Sequence, residues 1–276
     1  MTASCIGIIA GKGNLPVRII ETCQKKGLDF FVVALEGHAD PKTVENVPHF
    51  WSRMGAVGKI IKRMKREGVN KIVMAGGVKR PSLWEMRPDL KAAAMFAKLG
   101  KAFLGDDGLL REVTSLLEKE GFEVLGPHQI VDDLLASEGI QTKTKPKKSD
   151  KDDIETGIKI SQIIGGLDVG QACVVQQGFV LGVEAVEGTE KLIHRCEDLK
   201  RKGRGPILIK TKKPQQDTRV DLPTIGVATV EQVASAGFVG IAVQSGNCLI
   251  VDKDATYKRA NELKIFIVGI DIKHPD

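Results

Sequence analysis

Between Gln215 and Gly226 the chain reads Gln-Gln-Asp-Thr-Arg-Val-Asp-Leu-Pro-Thr-Ile-Gly, which sets Asp217, Arg219 and Asp221 at alternating positions. In an extended backbone these three side chains project to one face, while Thr218 and Val220 point to the other. The result is a carboxylate, guanidinium, carboxylate row suited to anion chemistry. Arg219 can grip a phosphate through paired N–H donors, and either carboxylate can hold a hard divalent cation or orient a water. Lys210, Lys212 and Lys213 stand just upstream, and Pro214, Pro223 and Gly226 restrict the backbone. A solvated turn closed by a local salt bridge is the competing structural reading.

Other turns carry the same kind of residue. Gly11-Lys12-Gly13-Asn14 follows an apolar run at 5–10 and precedes a helical pattern at 15–26, where backbone N–H groups and a helix N-terminus receive a phosphate. Pro16 replaces the third glycine of a dinucleotide fingerprint, yet Glu36 ends the next strand where a ribose-binding acid could sit, so an NAD(P)-binding oxidoreductase stays open. Arg80 follows Gly76-Gly77 at the end of a strand. Asp106 and Asp107 precede a helix that needs only one of them as a cap. In the second half, Asp168 and Gln171 lead into a strand, and Glu184 and Glu187 precede Thr189, which with Gly188 could simply cap the following helix. The five histidines lack metal spacing and no serine lies in a G-x-S-x-G elbow, which argues against a zinc hydrolase and a serine hydrolase. The acids favour a hard, oxygen-liganded cation over zinc.

Positioning such loops calls for an α/β fold. Apolar runs at 5–10, 30–35 and 71–75 alternate with helical patterns at 15–26 and 57–66, a Rossmann-like half. Helical patterns at 154–164, 189–202, 229–236 and 254–263 alternate with strands at 172–176, 179–185, 206–209, 239–243, 248–251 and 265–268, a second α/β domain. Residues 138–153 are rich in Lys, Thr, Ser and Pro and are expected to be a flexible linker between a domain at 1–137 and one at 154–276 that carries the Asp217 loop.

Composition excludes several classes. The 276 residues carry 41 basic and 35 acidic side chains for a net +6, a modest excess partly gathered in a local lysine run. Aromatic residues are only 4%, too few for the stacking platforms of a single-strand nucleic-acid binder. Five cysteines without paired spacing read as reduced thiols of a cytoplasmic protein, and no apolar run approaches the length that spans a bilayer.

Taken in order, these motifs resemble the LpxI family of UDP-2,3-diacylglucosamine pyrophosphatases of lipid A biosynthesis. The resemblance runs through Gly7 to Pro16, Gly76 to Pro81, Gly105-Asp106-Asp107 with Leu109-Leu110-Arg111, Asp168 to Gln171, Val183-Glu184 with Glu187-Gly188-Thr189, and Lys213-Pro214 with Gln216 to Gly226. Glu190 departs from it, standing where aspartate is expected. The resemblance implies two domains joined by a hinge with the active site between them, and a homodimer. It also implies a magnesium (or manganese) requirement and cleavage of a diacylated UDP-glucosamine to UMP and 2,3-diacylglucosamine 1-phosphate. Water would attack the phosphorus on the sugar side, at the cytoplasmic face of the inner membrane and with no more than peripheral contact. It makes Asp221 the catalytic acid, and pyrophosphate cleavage gives that carboxylate the metal or the water to hold. Beside it stand Asp217 and Arg219, with Gly11, Lys12, Gly13, Asn14, Leu15, Arg80, Asp106, Asp107, Asp168, Gln171, Glu184, Thr189, Lys213, Gln216 and Thr224 as substrate-binding residues. A nucleotide or lipid binder without catalysis is the third class left open.

Overall fold

The computed structural model describes residues 4–78, 87–99 and 106–272. The chain divides into two compact units, the first formed by Met1–Asp132 with Asp217–Asp221, the second by Asp133–Gln216 with Leu222–Asp276.

In the first unit β1 (Cys5–Ala10), β2 (Asp29–Leu35), β3 (His49–Ser52), β4 (Val69–Ala75) and β5 (Glu123–Leu125) form one sheet of order β3-β2-β1-β4-β5, parallel throughout. Covering helices bury both faces of such a sheet, which is why β1 and β2 read as unbroken apolar runs rather than alternating ones. The helices are α1 (Leu15–Lys26), the single turn α2 (Pro41–Val44), α3 (Val57–Arg66), α4 (Leu90–Leu99) and α5 (Asp106–Lys119). Pro16 opens α1 with its φ already helical. Gly27 ends it in the left-handed region at φ 64°, its N–H donating back to the carbonyls of Cys23 and Gln24. Helix α3 buries Ile60, Ile61 and Met64 and lays Arg63 over the rings of Phe31 and Phe50 at the border of the same cluster. Lys59 and Arg63 thus cover apolar surface with their stems.

The second unit holds a six-stranded mixed sheet, β6-β13-β11-β9-β7-β8, and a parallel pair, β10-β12. The strands are β6 (Gly139–Ile140), β7 (Ala172–Gln176), β8 (Phe179–Val183), β9 (Ile207–Lys210), β10 (Thr224–Ile225), β11 (Gly240–Gln244), β12 (Leu249–Ile250) and β13 (Phe266–Ile270). Helices α6 (Lys148–Gly166), α7 (Gly188–Glu197), α8 (Val227–Ser235) and α9 (Lys253–Glu262) complete it. One apolar cluster joins Leu192, Leu208, Ile225, Val233 and Ile241, and another joins Ile154, Ile209 and Phe266, so the sheet is covered on both faces. All five cysteines are free thiols, four of them buried, and burial pushes Cys248 up to about 12, which makes it inert.

Two expectations are corrected. Residues 138–153 are no connector: Gly139–Ile140 pairs antiparallel with β13, and α6 begins at Lys148, six residues before its expected start. Within this polar stretch two acids are buried and bonded, Asp150 to Arg204 and Asp153 to the backbone N–H groups of Gln177 and Gly178. Second, Asp217–Asp221 belongs to the first unit and not to the domain whose sequence surrounds it. Val220 is the reason, for it packs on the cluster of Leu117, Phe122 and Val124.

Candidate functional site

The loop at Asp217 is a turn, not the extended row its alternation suggests. The Asp217 carbonyl accepts from the N–H groups of Val220 (3.2 Å) and Asp221 (3.3 Å), while its carboxylate accepts from the Arg219 N–H (2.9 Å). An aspartate that bonds the backbone two residues on competes with strand geometry, and here it wins. Arg219 then closes on Asp217 with a fork, Nε to Oδ1 at 3.0 Å and Nη2 to Oδ2 at 2.7 Å, and reaches Glu118 Oε1 of α5 with Nη1 at 2.7 Å. Hydrogen bonding from Arg219 holds the Asp217 carboxyl below its ordinary range against the opposing pull of burial, and the two acids push the guanidinium up. Among the described residues three of the five guanidinium N–H donors are spent in these bonds, which leaves one on each terminal nitrogen for a phosphate. Asp221, half-buried, closes the turn just before the buried Leu222-Pro223.

The carboxyl edge of the first sheet gathers the other candidates of this unit. Gly11 ends β1 with its N–H on Ala75 O, and Lys12 exchanges two backbone hydrogen bonds with Gly77. A Cβ on Gly11 would lie 2.7 Å from Gly77 O, and one on Gly76 2.5 Å from Lys12 O, so both turns require glycine to meet. One strand further along, a Cβ on Gly126 would approach Arg219 Cα at 3.3 Å. The Gly11 turn, the Gly76 turn and the Asp217 loop therefore stand at the ends of β1, β4 and β5, about 10 Å across two strand spacings. This is where open α/β sheets bind ligands. Gly13 is left-handed at φ 90°, Asn14 makes no side-chain cap, and Leu15 is buried with Ile19, Ile20 and Cys23, so its side chain serves the core. Arg80 and the side chains of Asp106 and Asp107 lie outside the described residues.

In the second unit the predicted residues form a chain of contacts. Asp168 accepts from Lys213 Nζ at 2.6 Å, the Lys213 N–H donates to Gln216 Oε1 at 3.1 Å, and Gln216 Nε2 donates to Gln171 Oε1 at 3.3 Å. Glu184 Oε2 accepts from the Gln171 N–H (2.9 Å) and its Oε1 from Thr189 Oγ1 (2.5 Å). Thr189 therefore serves Glu184 and not the cap of α7, contrary to the capping reading. Glu184, Lys213 and Gln216 are buried. The antiparallel pairing of β9 with β7 brings the end of one strand to the start of the other, Lys210 opposite Ala172, and this closes the network. Thr224 stands apart on β10, its carbonyl accepting from Lys210 Nζ. A Cβ on Gly170 would meet Glu184 O at 2.1 Å, whereas one on Gly166 would meet nothing within 4 Å. Gly170→Ala should cost about 1–3 kcal/mol through overpacking, and Gly166→Ala should be neutral or stabilising. Thermal melting of the two variants checks this, and equal Tm values would mean that the Gly170 contact relaxes freely.

Sequence comparison joins these features. The LpxI N-terminal domain matches residues 5–134 and the LpxI C-terminal domain residues 137–268. The chain belongs to the LpxI family. It is similar to the UDP-2,3-diacylglucosamine pyrophosphatase LpxI of Caulobacter vibrioides, 39% identical over 273 residues that cover 96% of this chain and 97% of the relative. Among solved structures, CobK precorrin-6A reductase aligns over 99% of this chain and 91% of its own at 9% identity with a TM-score of 0.35. The UDP-glucose 4-epimerase of Thermus thermophilus in complex with NAD aligns over 98% of this chain and 79% of its own at 13% identity with a TM-score of 0.36. Likenesses that slight bear on neither cofactor nor activity.

Proposed function

We propose that this LpxI chain is a UDP-2,3-diacylglucosamine pyrophosphatase, a hydrolase that releases UMP and 2,3-diacylglucosamine 1-phosphate. The observation that carries the reading is the match to a relative of that name over nearly the full length of both chains. In the reaction, water adds to the phosphorus on the sugar side, the bond from that phosphorus to the bridging oxygen breaks, and UMP leaves with the bridging oxygen. Asp221 orients the water and accepts its proton; Arg219 donates its two remaining N–H groups to phosphate oxygens; Asp217 holds the guanidinium in plane. Lys213, Gln216, Gln171, Glu184, Thr189 and Asp168 are assigned to binding the substrate's polar groups.

Among the described residues no three acidic, histidine or cysteine side chains gather as a metal cage. Magnesium or manganese would be held by one or two carboxylates together with substrate phosphates, with Asp221 as the carboxylate. Such an ion, when bound, neutralises charge on the pyrophosphate oxygens. The proposed setting is the cytoplasmic leaflet, where a homodimer with peripheral contact would meet its diacylated substrate; no helix among the described residues is long and apolar enough to cross a membrane. UMP should appear when purified protein meets UDP-2,3-diacylglucosamine and magnesium, fall on chelation, and return with magnesium or manganese. Absence of UMP would overturn the activity, and full turnover after exhaustive chelation would remove the metal.

A further inference from the structure

We propose that the carboxyl end of β9 is an anion subsite in which Lys210 presents a buried ammonium to a phosphate group. The pyrophosphatase reading enters only in naming the natural ligand, the pyrophosphate of the substrate.

Lys210 is the last residue of β9 and is 7% exposed. It lies in register with Ala172 on one side and Val243 on the other, both members of the larger apolar cluster, so its stem runs over core. Its Nζ donates to Thr224 O at 3.2 Å, and among the described residues no carboxylate pairs with it. Three donors serve one acceptor. A buried ammonium without a carboxylate is expensive, and a sequence that needed only to hold the Thr224 carbonyl would do so with a neutral donor. The neighbours do not supply the missing charge. Asp168 is taken by Lys213, and Glu184 accepts from the Gln171 N–H and Thr189. Lys212, half-buried, has its backbone N–H on Gln244 Oε1, and its side chain likewise lacks an ion pair among the described residues. Among the described residues Lys210 and Lys212 therefore lack a carboxylate partner, and the strand end keeps uncompensated positive charge. A compact polyanion is the ligand class that such point charges take.

The test uses the full chain and inorganic pyrophosphate, with calorimetric titration and thermal melting side by side. Lys210→Met should raise the dissociation constant at least about tenfold, the scale of a lost hydrogen bond to a charged group, and abolish the pyrophosphate-induced rise in Tm. Without anion, its Tm should equal or exceed that of the parent, because a desolvated charge is gone. Lys210→Gln keeps a donor for Thr224 O and should lose affinity to the same degree. Parental affinity in either neutral variant, or no pyrophosphate binding by the parent protein, would overturn the subsite. A lowered Tm with affinity kept would make Lys210 a structural clasp only. UMP release measured in parallel separates the two claims: Lys210-dependent binding without UMP would sink the activity and keep the subsite, and the reverse would sink the subsite alone.

Discussion

Asp221→Asn should lower kcat for UMP release by roughly a hundredfold or more while KM stays within a few-fold, the signature of a group that acts on the transition state and not on binding. The substitution keeps volume and removes charge. Asp221 closes a turn whose first residue, Asp217, accepts its N–H, and it is followed by the buried Leu222-Pro223, so it is restrained from both directions along the chain. A restrained carboxylate is what orienting a water requires. Asp217 has other duties: it binds the Arg219 N–H and side chain and sets the turn. Asp217→Asn can still accept from the Arg219 N–H through its amide oxygen, and its loss of rate should be smaller. The comparison needs variants whose thermal melting matches the parent. A near-normal Asp221→Asn enzyme beside a dead Asp217→Asn one would move the catalytic role four residues upstream.

How far the sequence revealed this arrangement differs between its parts. Helix α1 and strand β7 are legible to the residue, because their apolar periods are clean and Pro16, Gly27 and Gln171 bound them. The site residues were picked out by type, and six of them do meet, in the network from Asp168 to Thr189. The two contacts that tie the network across, Lys213 to Asp168 and Gln216 to Gln171, are not readable, since they depend on β9 running antiparallel to β7, a long-range choice that no local pattern records. The Asp217 loop shows the same limit. Strict alternation argued for an extended row, but one aspartate side chain bonding the backbone two residues on converts it to a turn. The ownership of that loop by the first unit rests on Val220, packed on the first-unit cluster, and on Arg219, paired with Glu118, and neither contact is visible in five largely polar residues. Strands of two to four residues such as β3, β6 and β10 are too short to show a period. The segment at 138–153 misleads for a separate reason. Composition reports how many charges a stretch holds and not whether they are paired, and Asp150 and Asp153 are buried because their partners lie dozens of residues away in sequence.

Asp150 carries the largest expected effect on stability. Its carboxylate is 1% exposed and takes Arg204 Nε at 2.9 Å and Nη2 at 2.6 Å, together with the backbone N–H of Lys147 at 2.7 Å where α6 begins. Burial alone would raise its pKa. The Arg204 hydrogen bonds and the Lys147 N–H, helped by the nearby charges, more than offset this and bring it below the ordinary carboxylate range. Arg204→Met strips the compensation and leaves a buried anion at the start of the helix. Removing one partner of a buried pair costs about 3–5 kcal/mol, and because the Arg204 side chain is 28% exposed, the low end is expected. Replacing both partners, Asp150→Leu with Arg204→Met, should recover most of the loss, since no charge is then buried. The pH dependence follows from the direction of the shift. A carboxyl with a depressed folded-state pKa contributes stability that is present above its unfolded value near ~3.9 and is lost as pH falls through the depressed value. The parent should therefore shed this contribution below about pH 4, while the double variant should show a flatter acid limb. Urea denaturation followed by circular dichroism at pH 7 and pH 3 reads all three proteins. If Arg204→Met unfolds at the parent's midpoint at neutral pH, the ion pair is ornamental, and the polar composition of 138–153 described that segment better than its buried aspartates do.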